Sequence, residues 1–155
     1  MRVKELMSSK PRTCTSKQTA SDAARMMWEA DIGSVPVVDD DDVPVGMVTD
    51  RDVCMAAYIQ GRPLNAIPIL DVMSPEIYTC LEGDSVASAE RTMRAWQVRR
   101  LPVLDDDGRL VGMLSLNDVV LARAEAATEK VKKRTLLGLT ETMAAICRHR
   151  EEQTN

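Results

Sequence analysis

Short apolar runs alternate with stretches whose apolar residues recur at three- and four-residue spacing, and turn-forming residues separate them. The lead, Met1 to Ser8, puts Val3, Leu6 and Met7 on one helical face, and Pro11 ends it. Arg12 to Thr15 predicts a short strand. A helix follows from Thr19, where Thr19 and Asp22 form a capping pattern, Ala20, Ala23, Ala24, Met27 and Ala30 form an apolar stripe, and Gly33 supplies the stop. Val35 to Val38 predicts a second strand, with Pro36 expected at its start or on a sheet edge because proline has no ladder donor. Asp39 to Asp42 makes a polar turn before a strand at Val45 to Val48. The helix opened by Asp50 runs through Val53, Met55, Ala56 and Ala57 to Gln60, and Gly61-Arg62-Pro63 ends it.

After an apolar connection, Leu64 to Leu70, the same order returns. A turn of helix is expected around Val72-Met73, a strand at Tyr78 to Leu81, a helix capped by Ser85, paired strands at Arg100 to Leu104 and Leu110 to Leu114, and a last helix near Leu116. The return is a duplication: a gapless shift of 66 positions carries Met7 onto Met73, Thr13-Cys14 onto Thr79-Cys80, Pro36-Val37 onto Pro102-Val103, and Gly46-Met47-Val48-Thr49-Asp50-Arg51-Asp52 onto Gly112-Met113-Leu114-Ser115-Leu116-Asn117-Asp118. Val86, Ala89, Met93 and Trp96 share a helical face, which makes Trp96 a core candidate. Trp28, whose repeat mate is Arg94, is expected at the surface or at a subunit contact.

The repeated stretch has two readings. Its apolar run suits a buried strand, and the closing hydroxyl, Thr49 or Ser115, suits the cap of the following helix. With Asp52 or Asp118 three residues on, the pattern is a capping box. The same hydroxyl stands at a helix start, where anions are favoured, and the same carboxylate suits a sugar diol, accepting from both hydroxyls. Spacing alone leaves both open.

Composition adds limits. With 45% hydrophobic and 28% charged residues among 155, the chain is an ordinary soluble globular sequence, and no apolar run approaches a membrane span. The first residues lack an apolar signal region, so a cytoplasmic location is expected. A net charge of −4 speaks against nucleic-acid binding. Four cysteines without a C-x-x-C pair, and a lone His149, supply no zinc set, and buried reduced thiols are expected. The acidic runs at Asp39 and Asp105 lack the spaced ligands of a calcium loop and suit hairpin turns. Beyond Ala122 the repeat stops. A helical tail with Leu136, Leu139, Met143 and Ile146 on one stripe and a basic block at Lys130, Lys132, Lys133 and Arg134 is expected to pack on its own module or on a second subunit.

Two copies of strand, helix, strand, strand, helix, each with an apolar-Pro-Val strand (Val35-Pro36-Val37; Leu101-Pro102-Val103) and a Gly-x-x-Thr/Ser-x-x-Asp stretch, resemble a pair of cystathionine-β-synthase (CBS) domains, or Bateman module. The resemblance implies an α/β (α+β) fold of two tandem β-α-β-β-α repeats about a pseudo-twofold axis. The expected boundaries are residues 1–62 for the first repeat, 63–70 for a linker, 71–125 for the second repeat and 126–155 for a helical extension. It implies clefts for adenosine-containing ligands (AMP, ADP, ATP or S-adenosylmethionine) with no required cofactor or metal, a homodimer, and regulation of a partner protein that the sequence does not identify.

Residue by residue, Asp52 and Asp118 match the family's ribose-binding acids, and Thr49 and Ser115 its phosphate- or ribose-contacting hydroxyls. Thr13, Cys14, Thr79 and Cys80 lie in the strands whose backbone reads the base, beside Val35 and Leu101. Arg99 and Arg100 match basic positions that meet the phosphate of a ligand held by the other repeat's acid. That favours the Asp52 cleft for a phosphorylated ligand. The Asp118 cleft, with Gly33, Ser34 and Arg51 to draw on, is expected to be empty or to take an uncharged adenosine derivative. No arrangement suited to catalysis is evident, so an enzyme is not expected. The alternative to a sensor is a ligand-free dimeric interaction protein that uses its C-terminal helix.

Overall fold

The computed structural model describes residues 1–126 together with Thr142, Met143 and Ile146. The basic block at Lys130 to Arg134, Leu136 and Leu139 of the tail stripe, Cys147 and His149 lie outside the described residues. In chain order the elements are β1 Ser8–Ser9, β2 Cys14–Thr15, α1 Ala20–Ala30, β3 Ser34–Val38, β4 Pro44–Thr49, α2 Asp50–Gln60, β5 Cys80–Leu81, α3 Val86–Trp96, β6 Arg100–Leu104, β7 Leu110–Ser115 and α4 Leu116–Ala126. This is the mixed α+β architecture expected, with β-α-β-β-α present twice. The sheets are β2-β3-β4 and β1-β7-β6-β5.

Local chemistry sets the boundaries. Thr19 caps α1 in a reciprocal box with Asp22, Ser85 caps α3 by accepting from the Ser88 N–H, and Gly61 ends α2 at φ 59°. Gly33 does not stop α1. Asp31 does so in the left-handed conformation at φ 51°, with its own N–H and that of Ile32 returning to the carbonyl of Met27. The second repeat does the same with Gln97 at φ 53° and the Val98 N–H on Met93. The acidic turns are built by their first carboxylates. Asp39 Oδ1 accepts from the N–H groups of Asp41 and Val43, and Asp105 Oδ1 from those of Asp107 and Arg109.

Pro36 departs from expectation because β3 is the central strand of its sheet. Register explains the tolerance. The Asp50 N–H bonds the Gly33 carbonyl, and Ser34 is opposite Thr49, so Gly33, Val35 and Val37 are the residues bonded to β4 and Pro36 opposite Met47 is not. Its missing donor faces the β2 side, where the pairing covers Val37 and Val38.

The chain divides into two compact units. The first comprises Met1–Ser8, Tyr78–Val103 and the chain from Met113 onward; the second comprises Ser9–Ile77 and Leu104–Gly112. Each repeat's leading segment thus joins the unit built on the other repeat. In the first unit, Val3 and Lys4 donate to the carbonyls of Asp84 and Glu82, and Val3 is fully buried. The apolar residues buried within this unit include Val86, Ala89, Met93, Leu101, Leu114 and Val119.

In the second unit, Ala20 donates to the carbonyl of Ile67, Ile69 donates to that of Gln18, and Met47 and Ser74 exchange backbone bonds of 3.0 and 2.8 Å. Its core joins Cys14, Ala23, Met27, Val35, Val37, Val48, Val53 and Ile69. Gly46 is where Ser74 and Met73 approach β4: a Cβ there would stand 2.9 Å from the Ser74 carbonyl oxygen and 2.7 Å from the Met73 sulfur. That close approach accounts for the glycine that opens the repeated stretch.

Candidate functional site

Each unit ends a buried strand at a hydroxyl residue that starts a helix, and in both the carboxylate three residues on folds back onto it. In the second unit, Asp52 Oδ2 accepts from the Thr49 N–H at 2.8 Å and the Thr49 hydroxyl at 2.7 Å, while the Asp52 N–H donates to Thr49 Oγ1 at 3.2 Å. In the first unit, Asp118 Oδ2 accepts from the Ser115 N–H at 2.7 Å and its hydroxyl at 2.6 Å, and the Asp118 N–H donates back at 3.3 Å. The capping reading therefore holds in both copies. All four residues are half-buried, so the junctions stand at the surface.

A third box, Thr19 with Asp22, shows what this geometry does to a carboxyl. Hydrogen bonds from the Thr19 backbone and hydroxyl, with Arg25 alongside, hold Asp22 below its ordinary value of 3.8. Its contribution to stability is present above the ordinary carboxylate range and is lost as the pH falls through the lowered folded value.

The other sequence-selected residues divide between the units. Thr13, Cys14, Val35 and Arg51 share the second unit with Thr49 and Asp52; Thr79, Cys80, Arg99, Arg100 and Leu101 share the first with Ser115 and Asp118. Val35 and Leu101 are fully buried core side chains, whereas Arg51, Arg99 and Arg100 are exposed. Arg99 lies beside the first unit's junction, its carbonyl accepting from the Leu116 N–H at 2.9 Å.

Cys14 and Cys80 are buried free thiols, pushed up by burial to about 11 and about 12, with Asp22 and Asp84 adding to the effect. At neutral pH they are protonated and inert, so what these segments offer a ligand is backbone. Cys54 is exposed, against the expectation of buried thiols, because it faces outward from α2. Trp96 is also not in the core. At the last residue of α3 it is 51% exposed and stacks on Tyr78, ring centroids 4.3 Å apart and planes at 14°. The apolar face ends at Met93, and Tyr78 provides a neighbour at the surface.

The family model described as CBS domain matches residues 3–58 and 69–125, the two repeats. The chain belongs to the CBS domain family. Among its CBS relatives, the CBS domain-containing protein YhcV of Bacillus subtilis is 35% identical over 119 residues, 77% of this chain and 83% of that one. An uncharacterized Methanopyrus kandleri protein, MK0525, is 35% identical over 103 residues, and the match takes in 66% of this chain and about half, 53%, of that relative's length.

Solved structures of similar fold include the CBS domain pair of protein MJ0100 in complex with 5-methylthioadenosine and S-adenosyl-L-methionine. It has a TM-score of 0.72 at 25% identity, covering 82% of this chain and 98% of that one. CBSX2 in complex with AMP has a TM-score of 0.70 at 26% identity, covering 80% and 96%. Among the described residues no helix is long and apolar enough to cross a membrane.

Proposed function

We propose that this CBS pair is a regulatory module that senses an adenosine-containing ligand and acts through a partner protein rather than by catalysis. The carrying observation is the hydroxyl-carboxylate junction built twice in matching geometry. In each copy the box uses Oδ2, which leaves Oδ1 as an acceptor for ribose hydroxyls, at a helix start whose field suits a phosphate. The adenosine ligands of the two similar structures support the class. Arg99 and Arg100 are the phosphate-meeting side chains of this reading, and their guanidinium forks suit it. Binding energy that differs between two states of the module would shift the partner it contacts.

Calorimetric titration with AMP, ADP, ATP, S-adenosylmethionine and NADH tests the reading. Micromolar affinity for one of them is expected; silence across the panel would replace the sensor with a ligand-free interaction protein.

One observation bears on the self-association that both readings expect. Trp28, Tyr58 and Ile59, on α1 and α2, are 88%, 82% and 73% exposed. Their repeat mates are Arg94, Ala124 and Glu125, so none of the three has a large apolar counterpart in the second repeat. Large exposed apolar residues on two helices of one unit suit a contact surface. We assign the surface to a second copy of the chain. Sedimentation equilibrium is expected to show a dimer that Trp28→Glu weakens at least tenfold; a monomeric wild-type chain would remove the assignment.

A further inference from the structure

Tyr78, half-buried, and Trp96, half-exposed, form a stacked aromatic pair that the capping boxes do not require. We propose that Trp96 is the stacking platform of a base-binding subsite in the first unit, taking the purine ring of an adenosine-containing ligand. This deepens the adenosine reading above and rests on it.

Topology places the pair. The Leu116 N–H on the Arg99 carbonyl sets Ser115 opposite Arg100 across the antiparallel β6–β7 hairpin. In the first repeat, Cys14 is in register with Val37, and the repeat shift carries that pair onto Cys80 and Val103. Tyr78, two residues before Cys80, therefore lies toward the Arg100 end of β6. That end also holds Ser115 and the start of α4 with Asp118. The αL residue Gln97 brings α3 to a stop there, one position after Trp96.

Surface and charge define the guest. One face of the Trp96 indole is covered by Tyr78, so its half-exposed surface is the opposite face and the edges, which is the arrangement a planar ring needs for stacking. Arg99 and Arg100 are exposed, and among the described residues neither forms an ion pair. Two positive charges at the same end of β6 disfavour a cationic guest and favour a neutral ring on an anionic or uncharged sugar.

The second unit lacks this platform. The mates of Tyr78, Trp96, Arg99 and Arg100 are Arg12, Ala30, Gly33 and Ser34, none of which stacks as an aromatic pair does. The first unit's corner is thus the one equipped to hold a base.

The test uses the full chain carrying Trp28→Phe, so that Trp96 is the reporting indole. Adenosine and AMP are titrated as probes. Quenching of Trp96 fluorescence is expected with at least one, retained in Asp22→Ala, which opens a capping box away from either junction, and lost in Asp118→Ala. Trp96→Ala is expected to weaken that probe by about tenfold, the lower range of base–aromatic stacking, and Trp96→Phe to restore most of it. Circular dichroism checks that each variant folds.

A probe that binds with equal affinity to wild type and Trp96→Ala, yet is lost in Asp118→Ala, would overturn the stacking subsite and leave the adenosine reading standing. Binding lost in Asp52→Ala alone, with no change in Trp96 emission, would place the ligand in the other unit and overturn it too. Absence of binding by every probe in the wild-type chain would remove both.

Discussion

Arg123→Ala is expected to destabilise the protein by about 3 kcal/mol in urea unfolding at neutral pH, because it strands a buried carboxylate. Glu90 on α3 is 6% exposed, and the Arg123 guanidinium on α4 meets it through Nη2. Removing the arginine leaves Glu90 charged in a site with little access to water. The exposed pairs Lys17–Asp40, Arg25–Asp22 and Arg109–Asp107 are a different case, with pairing and screening of a kind worth roughly 0–1 kcal/mol.

The duplication supplies a control. The repeat mates of Glu90 and Arg123 are Ala24 and Ala57, so the first repeat packs the corresponding helices without charge. Glu90→Ala with Arg123→Ala installs that solution, and the double variant is expected to be more stable than Arg123→Ala alone. Arg123 Nε, buried without a hydrogen-bond partner among the described residues, is a cost the double variant also removes. A single variant no less stable than the double would show that Glu90 does not depend on its partner.

The duplication made the fold legible. A strict shift of 66 positions fixes two copies of the same elements, and a reader who finds one helix cap finds its mate. What escaped has identifiable causes. Gly33 looked like a stop, but a Schellman-type end needs a left-handed residue at a set distance from Met27, and Asp31 occupies that place. Pro36 looked like an edge residue because composition does not reveal which way its nitrogen points; that depends on register with Met47. Trp96 continued the apolar spacing of α3 past the point where the buried face ends. Joining each leading segment to the other repeat's unit is a long-range pairing, and local periodicity carries no trace of it. The Glu90–Arg123 pair is visible in sequence as two charges replacing two alanines, which is a signal that repeat comparison can find.

For Asp52 the structure sharpens what a mutation must show. Its carboxylate closes the cap of α2, so Asp52→Ala removes both a structural acceptor and the candidate ribose acceptor. The cap alone is worth about 1 kcal/mol. Asp52→Ala is therefore expected to lose about that much stability and, for a nucleotide held at the second unit's own junction, at least a hundredfold in affinity in calorimetry.

Asp52→Asn separates the two roles. Its amide oxygen can still accept from the Thr49 N–H, so stability should stay near wild type, while the NH2 group replaces the second acceptor that a sugar diol requires. Asp22→Ala opens the equivalent box on α1 and is expected to cost similar stability with no change in affinity. If Asp52→Asn binds as wild type does, the carboxylate is a helix cap and nothing more, and the nucleotide is held elsewhere. If Asn and Ala lose affinity alike while only Ala loses stability, the charge at this junction is kept for a ligand.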